Sequence, residues 1–182
     1  MPGFRTWIAP LPTITLQTPG PDAASELAAF MRRCYVAAYG HVASAADTEA
    51  HLIDHYNDAL IAEALADPTH CLIRSFDGVT PTGYAWLVQA AAPAPLHATH
   101  AVELRRFYLA PESIGGGSAD VLMQGVLDQG RRWFARGVFL TTWKESERAV
   151  RFYGRHGFRA LDHVSFRIGS KAFEDWLLWR GL

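Results

Sequence analysis

Two short stretches of this chain carry residue types that could do chemistry. The first is Gly115-Gly116-Gly117, followed by Ser118, Ala119 and Asp120. Glycine admits positive φ and lets a ligand come close to the backbone. Successive N–H groups of such a turn, set before a helix, can hold a diphosphate, and Ser118 adds a hydroxyl. Taken alone, the cluster reads better as a plain flexible turn. A P-loop needs Lys-Ser or Lys-Thr after its glycines, and neither follows here. A dinucleotide fingerprint opens an early βαβ unit with a different glycine spacing. The second stretch is Ser146-Glu147-Arg148-Ala149, then Phe152-Tyr153 and Gly157-Phe158. A tyrosine on a helix can offer a proton, or it can be a core aromatic beside Phe152. Together the two stretches suggest group transfer from a phosphate-bearing carrier.

The elements that must position them are legible from periodicity. Ile14 and Leu16 alternate in a short strand between Pro12 and Pro19. A helix capped by Asp22 or Ser25 is predicted to run to about Tyr39, burying Leu27, Phe30, Met31 and Cys34. Helical spacing resumes at Asp47 and continues through Leu65 until Asp67-Pro68 stops it. Strands are predicted at Cys71–Ile73, Gly83–Val88 and Ala101–Leu109, with a proline-containing loop at 90–98. A long helix is predicted from Gly117 to Arg136, burying Val121, Leu122, Val126, Leu127 and Phe134 and closed by Gly137. A strand then begins at Val138. Ser146 is placed at a helix N-cap, and Gly157 ends that helix before a strand near Val164–Ile168. Lys171–Leu178 reads as a short helix, whose Trp176, Leu177, Leu178 and Trp179 either complete the core or join a homodimer face. Early helices, a run of strands and later strand–helix alternation predict one α/β (α+β) domain over 1–182, a three-layer α-β-α sandwich.

Composition narrows the function. The chain has 182 residues, is 49% hydrophobic and carries a formal net charge of −1. That length can bury a core, and the charge gives no electrostatic reason to expect nucleic acid. No apolar run is long enough to span a bilayer. Met1-Pro2-Gly3-Phe4-Arg5 lacks the charged-then-apolar start of a signal peptide. A reduced, cytoplasmic setting is expected. Cys34 and Cys71 cannot form a disulfide framework and read as core residues. His51 and His55 share a helix face, but Leu52 stands where a zincin has glutamate and no third ligand accompanies them, so no metal is expected.

The quoted motifs resemble those of the GNAT superfamily of acyl-CoA-dependent N-acetyltransferases. Gly117 and Ala119, with Leu122-Met123 after them, match its cofactor turn; Ser146, Ala149, Phe152-Tyr153 and Gly157-Phe158 match its second signature. Ile114 replaces the leading Gln or Arg, and Ser146 replaces an asparagine. The resemblance implies a mostly antiparallel mixed sheet and acetyl-CoA as co-substrate. It implies that main-chain groups of Phe107, Tyr108 and Leu109 pair with the pantetheine arm. Amides of Gly115, Gly116, Gly117, Ser118, Ala119 and Asp120 would hold the pyrophosphate. Ser146 would lie beside the cofactor, and Tyr153 would protonate the departing thiolate.

For the base, the family position at the start of the later strand holds Thr141, which cannot serve. Glu103 is the first candidate, acting through water; Asp47 and His100 follow. Between Arg33 and Arg74 lie Asp47, Glu49, Asp54, Asp58, Glu63 and Asp67 with no lysine or arginine. These acids form either a solvated face or an attraction for a cationic amine. Tyr39-Gly40-His41, His51-Leu52, Tyr56 and Phe166-Arg167-Ile168-Gly169 followed by Asp175 resemble the bacterial spermidine/spermine acetyltransferase branch. The implied acceptor is a polyamine or other small primary amine. Ile114, Thr141 and Ser146 also suit an alternative, a non-catalytic acyl-CoA-binding or regulatory module on the same fold.

Overall fold

The computed structural model of the protein describes residues 13–168 and 171–182. The N-terminal stretch Met1–Arg5 and Gly169 of the C-terminal motif lie outside the described residues. The strands are β1 (Ile14–Gln17), β2 (His70–Asp77), β3 (Thr80–Ala90), β4 (Ala101–Leu109), β5 (Gly137–Trp143), β6 (Arg159–Ile168) and β7 (Lys171–Gly181). The helices are α1 (Ala24–Tyr39), α2 (Ala45–His55), α3 (Asp58–Ala66), α4 (Ser118–Arg132) and α5 (Glu147–Arg155). One seven-stranded sheet runs in the order β1-β2-β3-β4-β5-β7-β6. Only β4 and β5 pair in parallel, joined through α4; the other neighbours are antiparallel. The mixed, mostly antiparallel sandwich expected from the sequence is therefore present.

Strand alternation assigns the two faces. Leu72, Tyr84 and Trp86 face α1 and α3, where Leu27, Met31, Cys34 and Ile61 meet them. Ile73, Ala85, Leu87, Val102 and Leu104 face the other way, onto Leu122, Met123, Val126 and Leu127 of α4. Burial pushes the Cys34 thiol up to about 12, as a core residue requires. Helix α1 is held by Arg74, whose guanidinium meets Glu26 at 2.6 Å, and by Arg33 to Glu112 at 2.8 Å, just before the glycine turn.

Three expectations are corrected. The helical stretch from Asp47 to Leu65 is two helices: the Ser44 hydroxyl caps α2, and the Asn57 side chain caps α3 by accepting from the Leu60 amide at 2.8 Å. Helix α4 stops at Trp133 rather than Arg136; Phe134 turns left-handed (φ 53°) and is 90% exposed, while Met123 joins the buried stripe. The C-terminal segment is a strand, not a helix. Strand β7 lies between β5 and β6, with Leu178 buried toward α4 and Leu177 buried beside Phe139 on the opposite face. A strand covered on both faces shows a continuous apolar run instead of alternation. The apolar area of Leu177 and Leu178 thus lies inside the fold.

Where β5 begins, a Cβ at Gly137 would stand 2.5 Å from the Arg180 carbonyl oxygen and meet the Trp179 ring. Gly137→Ala should lower unfolding stability by about 1–3 kcal/mol in urea titration, because backbone cannot yield as a flexible side chain can. Unchanged stability would contradict this packing of β7 on β5.

Candidate functional site

The site begins with a fork. Strands β4 and β5 pair only at Val102–Val138 and Glu103–Phe139, then diverge. Strand β4 carries a bulge at Arg105, since Leu87 faces Leu104 while the next residue, Trp86, faces Arg106. A bulge bends its strand and increases local twist. The Ala110 amide donates to the Thr82 carbonyl at 2.9 Å. By alternation, the main-chain groups of Phe107 and Leu109 point away from β3, into the gap that β5 has left. The Tyr108 main chain points instead to β3, opposite Tyr84. Of the three residues expected to pair with an extended ligand, Phe107 and Leu109 are free to do so.

The glycine turn leads from β4 into α4. Gly115 and Gly117 have φ of 88° and 84°, and open space lies beside both. The Gly116 amide bonds to the Ser113 carbonyl, and the Asp120 amide bonds to the Gly117 carbonyl. No backbone bond of this turn uses the amides of Gly115, Gly117, Ser118 or Ala119. These four amides are left over at the positive end of α4, whereas those of Gly116 and Asp120 are already bonded. The Asp120 carboxylate instead meets His156 Nε2 at 2.9 Å, which ties the end of α5 to the start of α4.

Helix α5 brings the tyrosine to the fork. Ser146 occupies the N-cap of α5, but its hydroxyl makes no capping bond and is available to a ligand. Tyr153 is 7% exposed and packed edge-on against Phe107, Phe152 and Phe158. Burial, with the neighbouring Tyr39 phenol, raises its pKa, so it keeps its proton at neutral pH. Among the described residues its hydroxyl has no hydrogen-bond partner, yet it is not sealed away as those of Tyr56 and Tyr84 are.

A cavity of about 290 Å³ opens on the opposite face, where β4 and β5 part. Helix α1 lines it with Tyr35 and Tyr39, and α2 with His51 and His55. From the strands come Arg105, Arg106 and Tyr108 of β4, Thr141 to Trp143 of β5, and Asp175 of β7. Burial raises the Asp175 pKa, and the nearby Thr141 hydroxyl lowers it by less. Tyr39, which lines this cavity, also acts electrostatically on both Tyr153 and Asp175.

Several expected residues fall outside the cavity. Glu103 does not line it; its Oε2 accepts from Arg105 Nη2 at 2.7 Å and Nε at 3.2 Å. Asp47 is held in the Ser44 cap, and His100 lies by Thr99 at the far end of β4. None of Asp47, Glu49, Asp54, Asp58, Glu63 or Asp67 lines the cavity, so their carboxylates face elsewhere. Asp175 is the carboxylate that sequence reasoning left without a role. It is remote in the chain and reaches the site only through the Trp143–Asp175 pairing of β5 with β7. Among the described residues no group of three His, Cys, Asp or Glu side chains could hold a metal ion. Among them, too, no helix is long and apolar enough to cross a membrane.

Comparison with known proteins follows the same lines. The model of the acetyltransferase (GNAT) family matches residues 27–158. Uncharacterized N-acetyltransferases of Mycobacterium tuberculosis and Mycobacterium bovis are 31% identical over 165 residues, covering 87% of this chain and 97% of theirs. The PaiA N-acetyltransferase of Thermoplasma acidophilum, solved with coenzyme A, has a TM-score of 0.73 at 17% identity and covers 93% of this chain and 99% of its own. Arabidopsis thaliana NAA60, solved with acetyl-CoA, has a TM-score of 0.70 at 14% identity and covers 93% and 99%. At such identities the solved structures speak for the fold alone.

His51 gives a direct test of the cavity wall. Its ring stacks on Tyr35 at 4.7 Å. Burial, His55 and Arg106 lower its pKa from 6.5 to about 4. The unfolded chain therefore binds a proton near pH 6.5 that the folded protein takes up only near 4, and stability falls as pH drops through that window. The melting temperature should decline from pH 6.5 to 4, and His51→Phe, which keeps the stack, should decline less steeply. Equal slopes would acquit His51.

Proposed function

The chain belongs to the GNAT acetyltransferase family, and from that premise we propose that it transfers an acetyl group from acetyl-CoA to a primary amine by direct attack in a ternary complex. One observation carries the reading: the fork between β4 and β5 has free main-chain groups along it, free amides at one end and a protonated, unpartnered phenol on the same face. That is the pattern an extended chain with a diphosphate at one end and sulfur at the other requires.

Acetyl-CoA, when bound, supplies the activated acyl group as a thioester. The amides of Gly115, Gly117, Ser118 and Ala119 hold the diphosphate, with Ser146 beside the arm. Phe107 and Leu109 hold the arm by their main chain, and an amide at this edge polarises the thioester carbonyl. The amine enters from the cavity on the other face. Asp175 accepts the proton that its ammonium form must lose, in the role first assigned to Glu103. The neutral amine nitrogen bonds to the carbonyl carbon, the carbon–sulfur bond breaks and Tyr153 donates its proton to sulfur; the proton that nitrogen sheds on becoming an amide passes to water, from which the Tyr153 phenolate recovers its own. The products are an N-acetylated amine and CoA thiol. The motif resemblance leaves a polyamine as one class of acceptor; the acids between Arg33 and Arg74 that would attract it do not themselves line the cavity.

Two variants separate the roles when thiol release is followed with an amine panel. Tyr153→Phe should lower kcat about 100-fold or more while leaving CoA affinity, measured by calorimetry, within about twofold, since its hydroxyl holds no fold-stabilising bond. Asp175→Asn should lower kcat/KM most at intermediate pH, above the raised Asp175 pKa and below that of the amine, where the carboxylate is ionised and the amine arrives protonated. Stabilisation by CoA with no turnover of any amine would instead assign the chain to the binding-module alternative.

A further inference from the structure

The bulge at Arg105 places two consecutive arginines on one face of β4. In a regular strand Arg105 and Arg106 would point to opposite sides. Here both guanidinium groups lie over Trp86, at 5.7 and 5.6 Å from its ring, and both line the cavity. Their circumstances differ. Arg105 is neutralised by Glu103. Arg106 lies 4.4 Å over the Tyr56 ring, with its Nε buried and without a hydrogen-bond partner. Among the described residues no carboxylate pairs with it. Rings make up much of its surroundings, and ring faces attract a cation but do not replace a counter-ion.

The same cavity holds Asp175, and the two opposite charges do not pair with each other. The cavity thus offers one separated negative group and one separated positive group between aromatic walls. A ligand with an amine at one end and a single negative charge at the other matches both. A diamine matches only Asp175, and would bring its second cation toward an uncompensated guanidinium. A planar monoanion fits the guanidinium fork. From this arrangement we propose that the acceptor is an amine that carries a carboxylate, an amino acid in the broad sense, with its carboxylate on Arg106 and its amine directed to Asp175. The proposal rests on the acetyl-transfer reading and names its substrate class.

The test compares matched acceptors. α-, β- and γ-amino acids are each set against the amine in which methyl replaces the carboxylate, and against diamines including putrescine. Each is measured for acetylation by thiol release and for binding to the CoA-saturated protein by calorimetry. Amino acids should exceed their matched amines in kcat/KM. Arg106→Met should reduce that preference by about 10- to 100-fold, the worth of a hydrogen bond to a charged group, and Arg106→Lys should restore part of it. The ratio is internal to each variant, so a general loss of folded protein does not imitate the effect. Amino acids that bind through Arg106 but are never acetylated would sustain the subsite and sink the acetyl-transfer reading. Diamines or neutral amines acetylated at least as well as amino acids, a preference unchanged in Arg106→Met, or no amino acid binding at all would overturn the proposal.

Discussion

The constraint on which the site depends is the parting of β4 from β5. Two residue pairs hold these strands together, and beyond them the main chain of Phe107 and Leu109 faces a gap. Backbone N–H and C=O groups inside a protein need partners. A sheet that opens in its middle therefore asks for something to bond along the opening. The parting has a cause on each strand. The bulge at Arg105 bends β4, while β5 is held along its length by the antiparallel β7, from Gly137–Gly181 to Trp143–Asp175.

Because the fork goes through the sheet, it joins two unlike faces. On one side α4 and α5 bring a helix start with spare amides and a buried phenol whose proton is firmly held. On the other side α1 and α2 bring tyrosines and histidines around a cavity with Arg106 and Asp175 at its walls. The first face suits an anionic carrier and a leaving thiolate; the second suits a small amine. Burial serves the two faces differently. It keeps Tyr153 an acid, and it makes Asp175 a more willing proton acceptor than a solvated carboxylate.

The features that the sequence shows most clearly are local ones. The left-handed turns at Gly115 and Gly117 need glycine for a reason that involves no distant residue, and Ser146 to Phe158 is one helix with its own stop. The apolar runs at Cys71–Ile73 and Gly83–Val88 likewise read as strands, because turn residues such as Asp77-Gly78 bound them. What escaped is set by long-range pairing. Trp176 to Trp179 looked helical because a strand buried on both faces has no alternation to read. The place of Asp175 in the cavity depends on its register beside Trp143, and Thr141, which cannot serve as a base, lines the same cavity. The bulge that puts Arg105 and Arg106 on one face leaves no mark in their identities. Glu103 was chosen for its position on β4; it shares a face with Arg105, two residues on, and its carboxylate accepts from that guanidinium instead of lining the cavity.

Hydrogen exchange at individual amides, followed by NMR with and without CoA, tests the central claim most directly. The fork account predicts that CoA slows exchange at Phe107 or Leu109 together with Gly115, Gly117, Ser118 and Ala119, while amides already bonded within β3 change little. Slowing confined to other parts of the protein, with these amides left as fast as before, would contradict it.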